Sequence, residues 1–146
     1  MLDMQREGKI LHVGLSNVTR EELETGLRLG DIATVENMYG YAQRTTLAHA
    51  HGHNPGGEEV LDICEAREIP LIPFFSLLHA LPKQHDKIGE VAQRHDATPA
   101  QINIAWQLHK SPWILPIPGT SSLAHLRENL AAQAIRLSAE DMAYLG

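Results

Sequence analysis

At 146 residues, 43% of them apolar, the chain has the length of one ordinary domain and enough material for a core, so disorder is excluded and a single domain over residues 1–146 is expected. A formal net charge of −6 argues against nucleic acid or an anionic membrane as a partner, and no apolar run approaches the length of a membrane span. The first residues, Met-Leu-Asp-Met-Gln-Arg-Glu-Gly-Lys, lack the apolar centre of a signal peptide, and a single cysteine, Cys64, excludes an intramolecular disulfide; a cytoplasmic location is the expectation.

In chain order, residues 2–7 read as the tail of a helix stopped at Gly8-Lys9, and Ile10–Leu15 as a strand running into Ser16-Asn17. Thr19-Arg-Glu-Glu22 is a capping box; Leu23, Gly26 and Leu27 follow at helical spacing, and Gly30 closes the helix. Ile32–Val35 is a second short strand, ending at Glu36-Asn37-Met38-Tyr39. A long connection over 40–57, rich in Gly, His and Thr, leads to a helix over Glu58–Glu68 with Val60, Leu61 and Cys64 inward. Ile69–Phe75 is the third strand, residues 77–84 are loop, and Ile88, Val91, Ala92 and His95 mark another helix. Thr98-Pro99-Ala100-Gln101 opens the next one with a cap residue and a first-turn proline, and Ile102, Ala105 and Trp106 form its buried face.

Ile114–Pro118 then reads as a buried strand, followed by Gly119-Thr120-Ser121-Ser122 and a helix with Leu123, Leu126 and Leu130 on one face. Free N–H groups and the positive end of a helix dipole, approached through small hydroxyl residues, suit a phosphate. The same pattern also fits an ordinary capped helix. Ser138-Ala-Glu-Asp141 caps a last short helix.

The alternation is strand–helix four times over, with an extra helical piece in the third connection. It implies an α/β fold with parallel strands, whose ligands sit beyond the carboxyl ends of the strands. Those ends carry Ser16-Asn17, Glu36-Asn37, Phe74-Phe75 and Gly119-Thr120-Ser121.

Gly14-Leu-Ser-Asn17, Val35-Glu-Asn-Met-Tyr39, Ile72-Pro-Phe-Phe75, Ile117-Pro-Gly-Thr-Ser-Ser122 and Glu128-Asn129 resemble, in order and spacing, the aldo-keto reductase family. Thr98-Pro-Ala-Gln101 with Ala105-Trp106 is similar to the helix before that family's last strand. The family is a (β/α)8 barrel that uses NADPH to reduce carbonyl compounds. The likeness covers nearly the whole chain but matches a partial TIM barrel, about four β/α units corresponding to strands five to eight.

The resemblance implies that Ser16 and Asn17 hydrogen-bond the nicotinamide carboxamide and that Phe74 stacks on the ring. It implies that Thr120, Ser121 and Ser122 surround the phosphate of the adenosine ribose, with His125 where an arginine is common, and that Asn129 reaches the adenine. Glu36 stands where a glutamine usually holds the carboxamide. Gly119 replaces a lysine that many members use for the 2′-phosphate, so NADPH is expected with NADH as an alternative.

The family's catalytic Asp, Tyr, Lys and His belong to the first half of the barrel, and no residue here takes their place. The resemblance thus implies the cofactor-binding half of an NAD(P)H-dependent reductase, a fragment acting on a small carbonyl substrate only when completed. The alternative is a non-catalytic half-barrel that binds nucleotide or a partner. Open strand edges and an apolar inner face imply self-association.

Of the remaining features, Tyr39 reads as a packing or rim tyrosine rather than an acid. His49, His51 and His53 alternate as metal ligands can, but lie among Gly, Asn and Pro with no second ligand type until Glu58; a surface loop is expected and no metal site. Cys64 reads as a core residue, Trp106 and Trp113 as packing, and Glu21-Glu22-Glu24 as a solvated helix start.

Overall fold

The fold was obtained as a computed structural model, which describes residues 1–42, 44, 57–74, 77 and 85–146. Its centre is a parallel sheet of three strands in the order β1 (Gly14–Ser16), β2 (Thr34–Met38), β3 (Leu71–Phe74). The register pairs Ser16 with Glu36, Glu36 with Ile72, and Met38 with Phe74. Partners in register share a face, and alternate residues face opposite ways. One face therefore carries Ser16, Glu36, Met38, Ile72 and Phe74, all exposed or half-buried. The other carries the buried Val35, Asn37, Leu71 and Pro73.

Helices cover that second face. A short α1 (Leu2–Arg6) precedes the sheet. Helix α2 (Arg20–Leu29) starts at the expected capping box: Thr19 Oγ1 accepts from Glu22 N at 3.2 Å, and Glu22 Oε2 accepts from Thr19 N at 2.8 Å. It approaches the sheet at Gly26, where a methyl group would stand 2.7 Å from Leu15 Cδ1. Helix α3 (Glu58–Arg67) buries Val60, Leu61 and Cys64, as its spacing predicted, and ends at Glu68 in the left-handed region, φ 57°.

Helix α4 (His85–Arg94) buries Ile88, Val91 and Ala92. Helix α5 (Pro99–Lys110) buries Ile102, Ala105 and Trp106, again as expected, together with Asn103 and Gln107. Trp106 stacks on Tyr39 with ring centroids 6.1 Å apart, meets Tyr41 edge-on at 5.8 Å, and has the Arg44 guanidinium 4.5 Å from its ring. Arg44 also donates to the carbonyls of Leu145 and Gly146, so the end of α7 (Ala139–Leu145) is tied to this aromatic cluster.

Three expectations shift. The three strands begin later than the apolar runs implied: β1 occupies Gly14–Ser16 rather than Ile10–Leu15, β2 Thr34–Met38 rather than Ile32–Val35, and β3 starts at Leu71 rather than Ile69. Strand ends are set by the pairing partner, and Leu11 and His12 lie outside it, exposed.

The Ile114 stretch makes one parallel bridge to Leu71 instead of a fourth paired strand among the described residues. Leu71 N donates to Trp113 O at 2.8 Å and Leu115 N to Leu71 O at 2.9 Å. Pro116 and Pro118 then have no N–H with which to extend the ladder.

Finally, α6 (Leu123–Ala131), which runs into a 3-10 turn at Ala132–Ala134, buries none of its own residues. Leu123, Leu126 and Leu130 are 63%, 44% and 58% exposed, not turned into a core. Leu115 and Ile117 are also exposed, 55% and 46%.

Candidate functional site

Two groups of expected site residues are gathered by the fold. The first lies between the N-termini of α5 and α6, around a cleft of about 290 Å³ lined by Leu77, Thr98, Pro99, Ala100, Gly119, Thr120, His125, Glu128 and Asn129. Each wall has a local cause. Thr98 Oγ1 accepts from Gln101 N at 3.2 Å and Gln101 Oε1 from Thr98 N at 2.9 Å, which starts α5. The same Gln101 side chain donates through Nε2 to Glu128 O at 3.1 Å, fastening α5 to α6 across the cleft. On the other wall, Ser122 N donates to Thr120 Oγ1 at 3.1 Å and His125 N to Ser122 Oγ at 3.4 Å, so the hydroxyl residues shape the turn and cap α6.

Both dipoles present their positive ends here, and the first N–H groups of a helix have no partner within it. An anion of phosphate size suits such a mouth. Of the residues expected to surround the adenosine end, Gly119, Thr120, His125 and Asn129 line the cleft. Ser121 is exposed beside it, and Ser122 spends its hydroxyl on the cap. Gly119 has open space where a side chain would begin, and its backbone is not left-handed, so a longer residue fits there without strain. Thr98, Pro99, Ala100, Leu77 and Glu128 were missed as lining residues; the cap at Thr98 was legible, but its place opposite the Gly119 loop was not.

The second group lies on the open sheet face at the carboxyl ends of the strands. Ser16 and Glu36 are register partners, and Phe74 sits diagonally from Glu36, beside Met38. Glu36 and Phe74 are half-buried and Ser16 is exposed. Asn17 follows in the left-handed region at φ 59°, which asparagine tolerates well, and its N donates to Glu36 O at 2.8 Å. A hydroxyl, an amide, a carboxylate and an aromatic ring thus share one rim, a set able to hold a planar heterocycle that carries a carboxamide. Phe75 lies outside the described residues.

Other titratable groups serve the framework. Tyr39 is fully buried, and its hydroxyl donates to Glu58 Oε1 at 3.1 Å; burial, then the Glu58 charge, raises its pKa far above the usual range. Burial pushes the Cys64 thiol up to about 12, which removes it as a nucleophile at neutral pH. Asp141 accepts from Ser138 Oγ at 2.9 Å and from Arg94 Nη1 at 3.1 Å, and pairs with His95 Nε2 at 2.9 Å. Serine and imidazole both address the carboxylate and not each other, so this is a tie between α4 and α7 rather than a nucleophile and its base. Among the described residues no group of three His, Cys, Asp or Glu is arranged for a metal, and His49, His51 and His53 lie outside them. No helix of the described residues is long and apolar enough to cross a membrane.

Known proteins share this sequence and fold over nearly the whole chain. Pyridoxine 4-dehydrogenase of Escherichia coli (strain K12) is 38% identical over 145 residues, which are 99% of this chain and 47% of that protein. A thermostable aldo-keto reductase solved with the inhibitor epalrestat superposes with a TM-score of 0.83 at 30% identity, over 99% of this chain and 51% of that one. An aldo-keto reductase from Klebsiella pneumoniae in complex with NADPH superposes with a TM-score of 0.78 at 29% identity, over 99% of this chain and 50% of its own. The chain spans about half the length of these relatives. The family model described as the aldo/keto reductase family matches residues 1–146. With that match running through both clusters of site residues, the chain belongs to the aldo/keto reductase family.

Proposed function

We propose that the chain is the cofactor-binding half of an NAD(P)H-dependent aldo-keto reductase, equivalent to strands five to eight of the barrel and folding as a single cytoplasmic domain. It binds NADPH, with NADH as the weaker alternative, and takes part in reducing a small aldehyde or ketone when a first half of the barrel supplies the acid. The observation that carries this reading is the cleft between the two helix N-termini, where Gly119, Thr120, His125 and Asn129 meet. It is the right chemistry for the phosphorylated adenosine end of a dinucleotide. Ser16, Asn17, Glu36 and Phe74, on the adjoining strand ends, would take the nicotinamide. The NADPH complex of the Klebsiella pneumoniae relative supports the choice of cofactor.

When bound, the dinucleotide supplies the hydride. This chain's residues would hold the carboxamide, cover one ring face and hydrogen-bond the adenosine phosphate without a lysine or arginine; none of the described ones stands ready to protonate a carbonyl oxygen. The exposure of the apolar residues Leu115, Ile117, Leu123, Leu126 and Leu130 supports association, either with a completing half or with a second copy. Calorimetric titration of the purified chain with NADPH and with 2′,5′-ADP tests the assignment. Saturable binding of both is expected, and binding of neither would refute it.

A further inference from the structure

The turn where the chain leaves β1 is held by a side chain from the neighbouring strand. The last backbone rung there is Asn17 N to Glu36 O at 2.8 Å. One residue later the backbone no longer pairs with β2, and Asn37 takes over: its Oδ1 accepts from Val18 N at 3.0 Å and its Nδ2 donates to Val18 O at 2.7 Å. Asn37 is fully buried on the helix-covered face, opposite in sense to Glu36. Asn17, between the two anchored residues, has the left-handed φ of 59°.

A primary amide can accept and donate at the same time, which lets Asn37 satisfy both backbone groups of Val18. An aspartate of the same shape keeps the acceptor and loses the donor. An alanine leaves a half-buried N–H and C=O without their partner, at the cost of their desolvation. The bonds to Val18 act on the two residues just before it, Ser16 and Asn17, whose side chains would meet the carboxamide.

We propose that Asn37 is a positioning residue for the nicotinamide end of the dinucleotide site. Its pair of bonds to Val18 fixes the left-handed turn at Asn17 and so sets the direction of the Ser16 and Asn17 side chains. This rests on the dinucleotide reading above. The adenosine cleft is built from other elements, the Gly119 loop and the starts of α5 and α6, so Asn37 acts on one end of the ligand and not on the other.

The test compares NADPH with 2′,5′-ADP, which lacks the nicotinamide, on wild type, Asn37→Asp and Asn37→Ala. The dissociation constant for NADPH should rise about tenfold in both variants, while that for 2′,5′-ADP stays within about twofold. Equal weakening of both ligands overturns the positioning role and leaves the dinucleotide reading standing, as does unchanged NADPH affinity. Wild type that binds neither ligand refutes the dinucleotide reading, and the positioning role with it. Amide exchange at Val18 is an independent readout: its protection should be lost in Asn37→Ala, and retained protection overturns the clamp. If Asn37→Ala does not fold, Asn37→Asp, which removes no volume, carries the comparison.

Discussion

Tyr39 donates its hydroxyl to Glu58 Oε1 at 3.1 Å while its ring lies against Trp106, fully out of solvent. The phenol bridges the end of β2 to the start of α3, and Lys110 holds the other Glu58 oxygen at 3.0 Å. A hydroxyl so committed has no path to a carbonyl substrate. Tyr39→Phe should therefore cost about 1 kcal/mol of stability, the scale of one hydrogen bond, and leave NADPH affinity unchanged. Urea unfolding beside a nucleotide titration measures both, and a loss of affinity with stability intact would move Tyr39 into the site.

Gly119→Lys should improve NADPH over NADH by about tenfold, the scale of one charge-assisted hydrogen bond to a phosphate. The cleft offers helix N-termini and hydroxyls but, among the lining residues, no lysine or arginine. Gly119 has room for the new side chain and no left-handed backbone to strain. Titration of both cofactors decides it; equal affinities in the variant would show that the loop does not meet the 2′-phosphate.

The parts of this fold legible in the sequence are those set by short-range chemistry. The box at Thr19–Glu22 closes as read, and the caps read at Thr98 and Ser138 form and are completed as boxes by Gln101 and Asp141, because a cap needs only residues three apart. The inward faces of α3 and α5 also follow from spacing alone. What failed depends on a partner elsewhere. Strand limits moved because β1 and β2 are defined by each other's register. The leucine stripe of α6 states a demand for burial, and periodicity does not say whether anything is there to meet it. Asn37 was visible as a polar residue at a strand end, but its grip on Val18 runs across nineteen positions, and no local pattern announces it.

Glu36 is the second departure from the family's usual residues, and its effect has a sign. A carboxylate accepts from the carboxamide NH₂ but cannot donate to its oxygen, and an ionised Glu36 favours the cationic, oxidised nicotinamide. Glu36→Gln should shift relative affinity toward the reduced cofactor by about two- to fivefold, the scale of a half-exposed charge pair. Paired titrations with NADP and NADPH give the ratio, and an equal change for both forms would mean that the side chain points away from the ring.

The α4–α7 tie makes stability depend on pH at the acid end. The hydrogen bond from His95, with those from Ser138, holds Asp141 down to about 2, below the ordinary carboxylate value of 3.8. A depressed folded pKa contributes stability that is present above the unfolded value and lost as pH falls through the folded one. Roughly 1–2 kcal/mol should therefore disappear between about pH 4 and pH 2, and Asp141→Asn should flatten that part of the profile. Urea midpoints over this range provide the check; an unchanged profile in the variant would assign the acid sensitivity elsewhere.

Carbonyl reduction needs both a hydride and a proton delivered by a positioned acid, and the acid contributes roughly 10²–10⁴-fold. In the proposed reading Ser16, Asn17 and Phe74 orient the ring that gives the hydride, whereas Tyr39 is sealed in the core. The most direct test follows NADPH consumption with 4-nitrobenzaldehyde, first by the purified chain and then after mixing it with the amino-terminal half of the Escherichia coli relative. The account predicts no turnover by the chain alone and measurable turnover by the mixture. Turnover by the chain alone, abolished by Tyr39→Phe, would contradict it.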